Sequence, residues 1–228
     1  MKQNHKSKPI VSVIVAAFNQ EKFIGRCLRS LINQSLSSDL YEIIVVDDGS
    51  DDLTDYALGL FEGGFGVNIR IITHERNLGL PAAVNRGIME AQGTFVVRVD
   101  SDDFVNANFL NFLFCFLDFN DHVDAVACDY FLIDDKEKFL RRVNCLEEPI
   151  ACGLMFRKTQ LIQLGMYDEN LRWHEDQDLR IRFLKKHNIS RLELPLYRYR
   201  RHSDNMTNNK NAMDYHKMLL REKHDTKD

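Results

Sequence analysis

The sequence predicts an α/β fold with a mostly parallel central sheet and helices on both faces. Short apolar runs rich in Val and Ile alternate with segments of helical period through the first half of the chain, the pattern of strand–helix–strand units. Acids gather where two of those runs end, at Asp47-Asp48 and at Asp100-Ser101-Asp102-Asp103, and ligands of such folds bind beyond the carboxyl ends of the strands. With 228 residues, 44% of them hydrophobic, the chain can bury a substantial core. No repeat, low-complexity tract or linker interrupts it, so a single domain over residues 1–228 is expected.

Ile10 to Ala16 is the first buried strand. Phe23, Ile24, Cys27, Leu28, Leu31 and Ile32 then recur at helical spacing between charged residues. Ile43 to Val46 is the second strand, Leu53 to Phe61 a helix closed by Gly63-Gly64, and Asn68 to Thr73 a third strand. Pro81 to Ala91 reads as a helix with proline in its first turn, where a missing N–H does no harm. Thr94 to Val99 is the fourth strand and runs into the acidic cluster. The second half is less regular. It offers a buried helix over Asn108 to Asp118, a strand over Val123 to Ile133 with a further strand over Lys138 to Leu146 to pair with it, and an amphipathic helix over Glu175 to His187. The last strand, Ile189 to Tyr199, is interrupted by Pro195. Both ends, Lys2 to Lys8 and Arg221 to Asp228, are polar and expected to fray.

A net charge of −4 removes any bulk electrostatic attraction to nucleic acid or an anionic membrane. The longest apolar block, Phe109 to Leu117, is far short of a membrane span and contains Asn111. The N-terminal lysines lead into a strand-like run rather than a cleavable segment. Five cysteines (Cys27, Cys115, Cys128, Cys145 and Cys152) show no C-x-x-C spacing, which favours reduced thiols over a disulfide or zinc set. A cytoplasmic location follows, with at most peripheral contact at the inner membrane face. Met213, Leu219 and Leu220, with Lys217 and Arg221, could add only weakly to such contact.

Three carboxylates within residues 100–103 repel one another unless a cation joins them. A divalent metal held by carboxylate oxygens and completed by substrate phosphates resolves the crowding; a solvated turn capping the next helix is the alternative. Arg98, on an otherwise apolar strand, is expected in a buried ion pair with one of these acids, ahead of direct phosphate contact. Asp48 precedes Gly49-Ser50, where an Asx turn onto Ser50 or Asp51 would use it; Asp47 fits helix capping equally. Glu175, Asp176 and Asp178 suit the positive end of a helix dipole, or Asp176 faces a cleft as a general base. Trp173, the only Trp, either stacks on a sugar or fills the core. Gly153 would allow close backbone approach. Glu62-Gly63-Gly64-Phe65-Gly66 follows a helix rather than a strand and is not a phosphate loop.

These segments resemble the family 2 glycosyltransferases of the GT-A fold. Val11-Ser12-Val13-Ile14-Val15-Ala16-Ala17-Phe18-Asn19 resembles their opening strand, and Glu42-Ile43-Ile44-Val45-Val46-Asp47-Asp48-Gly49-Ser50 their second. Asn77-Leu78-Gly79 followed by Ala82, Asn85, Arg86 and Gly87 is similar to their N-x-G…A-x-N-x-G segment, with Val84 where the family often has Arg. Asp100-Ser101-Asp102-Asp103 resembles the D-x-D motif, Trp173-His174-Glu175-Asp176-Gln177-Asp178-Leu179 the W-x-E-D-x-D-L helix start, and Tyr197 to Thr207 the late Y-R-x-R-x-H segment. The match runs over roughly residues 9–207 with its motifs in the expected order.

The resemblance implies an inverting, metal-dependent transferase that moves a sugar from a nucleotide-diphosphate donor, expected to be UDP-linked, to a saccharide or lipid-linked saccharide, in surface polysaccharide synthesis. Residues 9–105 would form the donor half, 106–207 the acceptor half and 208–228 a charged tail. Asp48 would accept from the N3–H of uracil, with Ala16 and Phe18 beside the base and Asn77 and Ser101 also at the donor. Asp100 would contact the ribose or sugar. Asp102 and His202 would ligate Mn²⁺ or Mg²⁺, with Asp103 on metal-bound water. Asp176 would be the general base. A nucleotidyltransferase would want a Gly-rich loop after the first strand, where Ala17-Phe18-Asn19-Gln20 stands. A receiver domain would be far shorter. A catalytically silent sugar-nucleotide-binding scaffold is the alternative that the intact Asp102 and Asp176 weigh against.

Overall fold

The Val- and Ile-rich runs become strands covered on both faces. In the computed structural model, which describes residues 8–63, 65–203, 205 and 210–224, β1 (Val11–Ala17), β2 (Tyr41–Asp47) and β4 (Phe95–Arg98) are buried along their whole length. β1 lies between β2 and β4, with β3 (Asn68–Thr73) on the outer side of β2, and all four are parallel. Helices α1 (Ile24–Ile32), α2 (Thr54–Gly59) and α3 (Leu80–Glu90) make the crossovers. α3 lies so close on β1 that a Cβ at Gly87 would stand 2.4 Å from Ile14 Cγ2. That contact is the physical reason for glycine in the Asn85-Arg86-Gly87 segment.

Beyond β4 the sheet is mixed. β8 (Leu154–Arg157) runs antiparallel to both β4 and β6 (Ala125–Ile133), while β9 (Ile189–Arg200) runs parallel to β6. β5 (Phe104–Val105) closes the far edge antiparallel to β9, and β7 (Phe139–Val143) pairs with β6 alone. Among the described residues the sheet has nine strands, ordered β3-β2-β1-β4-β8-β6-β9-β5 with β7 to the side. The parallel order therefore holds through the first four strands and not past them. Pro195 does not break β9, because the register steps from Cys128↔Leu192 to Asp129↔Pro195 and the proline sits at that irregularity.

α4 (Phe109–Asp118) packs Phe109, Leu110 and Leu113 with Val13, Ile24 and Leu28 on one face of the sheet. α5 (Lys158–Leu164) and α6 (Glu175–Leu184) cover the other, where Leu161, Leu179 and Phe183 join Ile14, Ile44 and Val84. All five cysteines are free thiols, four of them buried.

The C-terminal segment corrects an expectation. Instead of fraying from Arg221, the chain forms α7 (Lys210–His224), which docks against α6. Asp178 is fully buried and gathers Arg182 at 2.6 Å, Lys223 at 2.7 Å and His224 Nε2 at 2.8 Å, and Lys223 also reaches Asp168 at 2.6 Å. A buried carboxylate is tolerated only when compensated in this way, and α7 supplies two of the three partners. Leu220 is buried, so it offers no face to a membrane. Lys2 to Ser7 and residues 225–228 lie outside the described residues. Among the described residues, no helix is long and apolar enough to cross a membrane.

Candidate functional site

The ends of β1 and β2 are stitched to each other and to the loop before α3. Asn19 exchanges hydrogen bonds with Asp51, its Nδ2–H donating to Oδ1 at 2.7 Å and its Oδ1 accepting the Asp51 N–H at 3.0 Å. Asp47 Oδ1 accepts from the Ser50 N–H and hydroxyl, so the Asx turn at this corner belongs to Asp47 rather than to Asp48. Asp48, only 3% exposed, accepts the Leu78 N–H at 3.0 Å and the Gly79 N–H at 2.8 Å, and His74 Nδ1 lies 2.7 Å from its Oδ1. Gly49 has φ +72° and a Cβ there would come within 2.6 Å of the Arg76 backbone, so the Asp48-Gly49 corner and the 76–79 loop fit only without a side chain. Ala16 is buried at the end of β1, Phe18 is 42% exposed just beyond it, and Asn77 is half-buried in the anchored loop. Asn85 is a clamp: it accepts the Tyr167 N–H at 3.0 Å and donates to the Tyr167 carbonyl and Glu169, both at 2.9 Å.

The second acidic cluster divides its members between inside and outside. Asp103 turns inward, where its carboxylate accepts the Tyr197 hydroxyl at 2.8 Å and the Arg200 N–H at 2.7 Å. Burial, with the charges of Asp102 and Asp100, pushes its pKa well up. This corrects its expected place on metal-bound water: Asp103 positions the loop from within. Asp100 Oδ1 accepts Arg98 Nε–H at 2.6 Å, and its N–H donates to the Tyr197 oxygen at 3.0 Å. Ser101 is buried between them in sequence. Asp102 faces outward with a side chain 19% exposed; its Oδ2 lies 2.9 Å from His202 Nε2 and 3.3 Å from Asn205 Nδ2.

Arg98 links this cluster to α6. Its side chain is 7% exposed and pairs with Asp100 at 2.6 Å and Glu175 at 3.0 Å, the buried ion pair expected for it. Burial disfavours its charge, but Asp100 and Glu175 outweigh that and hold it firmly protonated. Glu175 is raised by burial against the pull of Arg98, and Asp176 adds to the rise. Asp176 is half-buried in the first turn of α6. It lines a small cleft together with Arg180, Pro149, Ile150, Ala151 and Phe156. His174 enters the helix in the left-handed region (φ 59°) and its Nε2 meets the Met213 carbonyl of α7 at 3.1 Å. Trp173 packs against the His216 ring at 4.9 Å, and Gly153 (φ +70°) packs on the Tyr197 ring.

Asp102 and His202 fit a divalent cation. A carboxylate oxygen and an imidazole nitrogen converge from opposite parts of the chain, a donor pair suited to Mn²⁺ and, less well, to Mg²⁺. A second group, Asp100, Asp103 and Cys152, has ligand atoms within 4.8 Å of one another but fits poorly. Tyr197 and Arg200 occupy Asp103, and burial pushes the Cys152 thiol pKa well above its ordinary value, withholding the thiolate.

Comparison with known proteins decides the family. The glycosyl transferase family 2 profile matches residues 12–224. The chain belongs to glycosyl transferase family 2. EpsJ of Bacillus subtilis, an uncharacterized glycosyltransferase, is 29% identical over 238 residues, which cover 91% of this chain and 66% of EpsJ. TarS of Staphylococcus aureus, a poly(ribitol-phosphate) β-N-acetylglucosaminyltransferase, is 36% identical over 108 residues, 47% of this chain and 18% of TarS. The crystal structure of TarS residues 1–349 in complex with UDP-GlcNAc superposes with a TM-score of 0.77 at 24% identity, over 92% of this chain and 65% of that one. The mannosyltransferase PcManGT of Pyrobaculum calidifontis, in complex with GDP-Man and Mn²⁺, gives 0.76 at 18% identity, over 95% and 64%. These likenesses establish the GT-A fold expected from the motifs. The chain spans 39% and 66% of the length of two curated relatives that it matches.

Several residues that build this candidate site carry no local signal. His74, Tyr197 and Asn205 reach Asp48, Asp103 and Asp102 from 26, 94 and 103 positions away. Only the Y-R-x-R-x-H run marked Tyr197, and it gave no hint that the hydroxyl enters the acidic loop.

Proposed function

We propose that this chain is the catalytic domain of an inverting glycosyltransferase that takes a sugar from a nucleotide-diphosphate donor, uridine-linked, and places it on a hydroxyl of a glycan or lipid-linked acceptor in surface polysaccharide synthesis. Residues 9–105 form its donor half and 106–207 its acceptor half. The observation that carries the reading is the Arg98 bridge. It ties Asp100 of the D-x-D loop to Glu175, whose neighbour Asp176 lines the cleft. Donor-side and acceptor-side acids are thus held at one end of β4, where a ligand of such a sheet binds.

In the reaction the acceptor oxygen forms a bond to the sugar C1 as the bond from C1 to the diphosphate oxygen breaks, with inversion at C1. Asp176 takes the hydroxyl proton, from the half-buried first turn of α6. Asp102 and His202 are the residues to hold Mn²⁺ or Mg²⁺, and the bound cation would neutralise charge on the departing diphosphate. Phe18, exposed beside the anchored Asp48 corner, offers an aromatic surface to the base, flanked by Ala16 and Asn77. Asp48 has about four acceptor positions and three are used internally, which leaves one for a uracil N3–H. The names of the relatives, among them TarS and the minor teichoic acid biosynthesis protein GgaA of Bacillus subtilis, support a cell-surface polymer as the acceptor.

Titration calorimetry of UDP, GDP and dTDP with and without Mn²⁺, on wild type and Asp102→Ala, tests the donor site. Tightening by Mn²⁺ with UDP, lost in the variant, is the expected result, and binding of none of the three sinks the reading. Asp176→Asn should keep UDP and Mn²⁺ affinity and lose transfer; surviving transfer would remove Asp176 as the base.

A further inference from the structure

Arg180 stands one helical turn from Asp176 and lines the same cleft. It is half-buried, and burial works against its charge while the Asp176 carboxylate nearby favours it; among the described residues its guanidinium makes no hydrogen bond or close ion pair. Other sheltered arginines in this chain are fully engaged. Arg182, two residues on, binds Asp178 and the carbonyls of Leu164 and Met166. Arg157 donates to the carbonyls of Val123, Leu117 and Asn120, and Arg98 holds two carboxylates. Arg180 instead lines the cleft together with Asp176 and the apolar Leu154 and Phe156. Partial burial of a guanidinium sacrifices hydration, and what restores it is an oxyanion that accepts two parallel N–H bonds.

We propose that Arg180 recognises a phosphate group on the acceptor, close to the hydroxyl that Asp176 deprotonates. The acceptor is then an anionic, phosphate-bearing molecule rather than a neutral glycan. This rests on the transferase reading above and sharpens it to a substrate class. At i, i+4 on α6 the two side chains share one helix face, so the phosphate and the reacting hydroxyl belong to neighbouring parts of one acceptor. The acidic wall at Asp176 needs no second cation, because Arg180 supplies the positive charge that an incoming phosphate requires beside a carboxylate.

The test uses the chain saturated with UDP and Mn²⁺, so that the donor site cannot capture the probe, and again without them. sn-Glycerol 3-phosphate, glycerol and glucuronate are titrated and followed by NMR on wild type, Arg180→Gln and Arg180→Lys. Glycerol 3-phosphate should bind and glycerol should not. Arg180→Gln should weaken the binding about 10- to 100-fold and Arg180→Lys less, with UDP affinity equal in all three. Sedimentation with phosphatidylglycerol vesicles separates the sources: loss of vesicle binding in Arg180→Gln assigns the phosphate to a lipid, and retention of the soluble effect alone assigns it to a polymer. Glycerol 3-phosphate that fails to bind, or binds Arg180→Gln as well as wild type, overturns the proposal, and so does a preference for glucuronate. A chain that binds the phosphate through Arg180 but not UDP would strike the donor reading and leave this one standing.

Discussion

Asp48 and Asp102 stand at equivalent places, each just past a parallel strand, and the protein holds them in opposite ways. Asp48 accepts from two backbone amides of the 77–79 loop and lies against His74, almost without exposure. Among the described residues the Asp102 carboxylate meets side chains, His202 and Asn205, and is several-fold more exposed. A backbone partner cannot turn aside when a ligand arrives, whereas a side-chain partner can. The end of β2 is therefore primarily an anchor for a loop, and the end of β4 is a place where partners are exchanged. Position at a strand end brings an acid near a ligand; the kind of partner decides what the acid is free to do.

The largest expected effect lies at the joint between the two regions. Arg98→Leu leaves two carboxylates uncompensated, Glu175 buried and Asp100 partly so, and should cost about 3–5 kcal/mol in urea unfolding. A loss below about 1 kcal/mol would mean that the D-x-D loop and α6 are not joined through this side chain. Next comes Asp48→Asn, which cannot satisfy all three partners and should lose about 1–3 kcal/mol, with faster amide exchange at Leu78 and Gly79. Unchanged exchange there would break the anchor reading.

Asp129 supplies a third kind of acid, held by side chains yet fully buried. Burial pushes its carboxyl up, but hydrogen bonds from Arg191 and Arg142 overcome this and hold the pKa at about 2. Because the folded value lies below that of the unfolded chain, its contribution is fully present above about pH 4 and is lost as pH falls through about 2. Asp129→Asn should flatten that acid limb; an unchanged limb would assign it to other carboxylates. The smallest effect is expected at Asp102. Asp102→Asn removes one charge from a crowded cluster and should change stability by less than about 1 kcal/mol while abolishing the Mn²⁺ response of UDP binding. A stability loss as large as that of Asp48→Asn would erase the contrast between the two strand ends.

Legibility in the sequence follows the same division. β1, β2 and β4 announce themselves as Val and Ile runs because a strand buried on both faces has no polar alternation to hide in. The ion pair of Arg98 was legible because a lone cation on an apolar strand has few ways to be stable. The mixed half was not, since β5 is two residues long and exists only through pairing with β9. Asp103 was misplaced for a similar reason: nothing near it distinguishes an inward from an outward carboxylate, and Tyr197 and Arg200 settle the matter from 94 and 97 positions away. The docking of α7 draws on a buried acid, Asp178, whose helix-start motif reads equally well as a solvated first turn.

β9 is inserted between β6 and β5, and it delivers Tyr197 and Arg200 to Asp103 before the chain continues to His202. During synthesis the parallel pairings of β1 to β4 and the anchoring of Asp48 to its loop can form from the first hundred residues, since His74, Leu78 and Gly79 have already emerged. The D-x-D loop cannot, for its inner acid has no partner until the ribosome has passed residue 200. The nascent chain thus acquires its scaffold early and the fixed shape of its acidic loop late, once the residues that shelter the inner carboxylate are present.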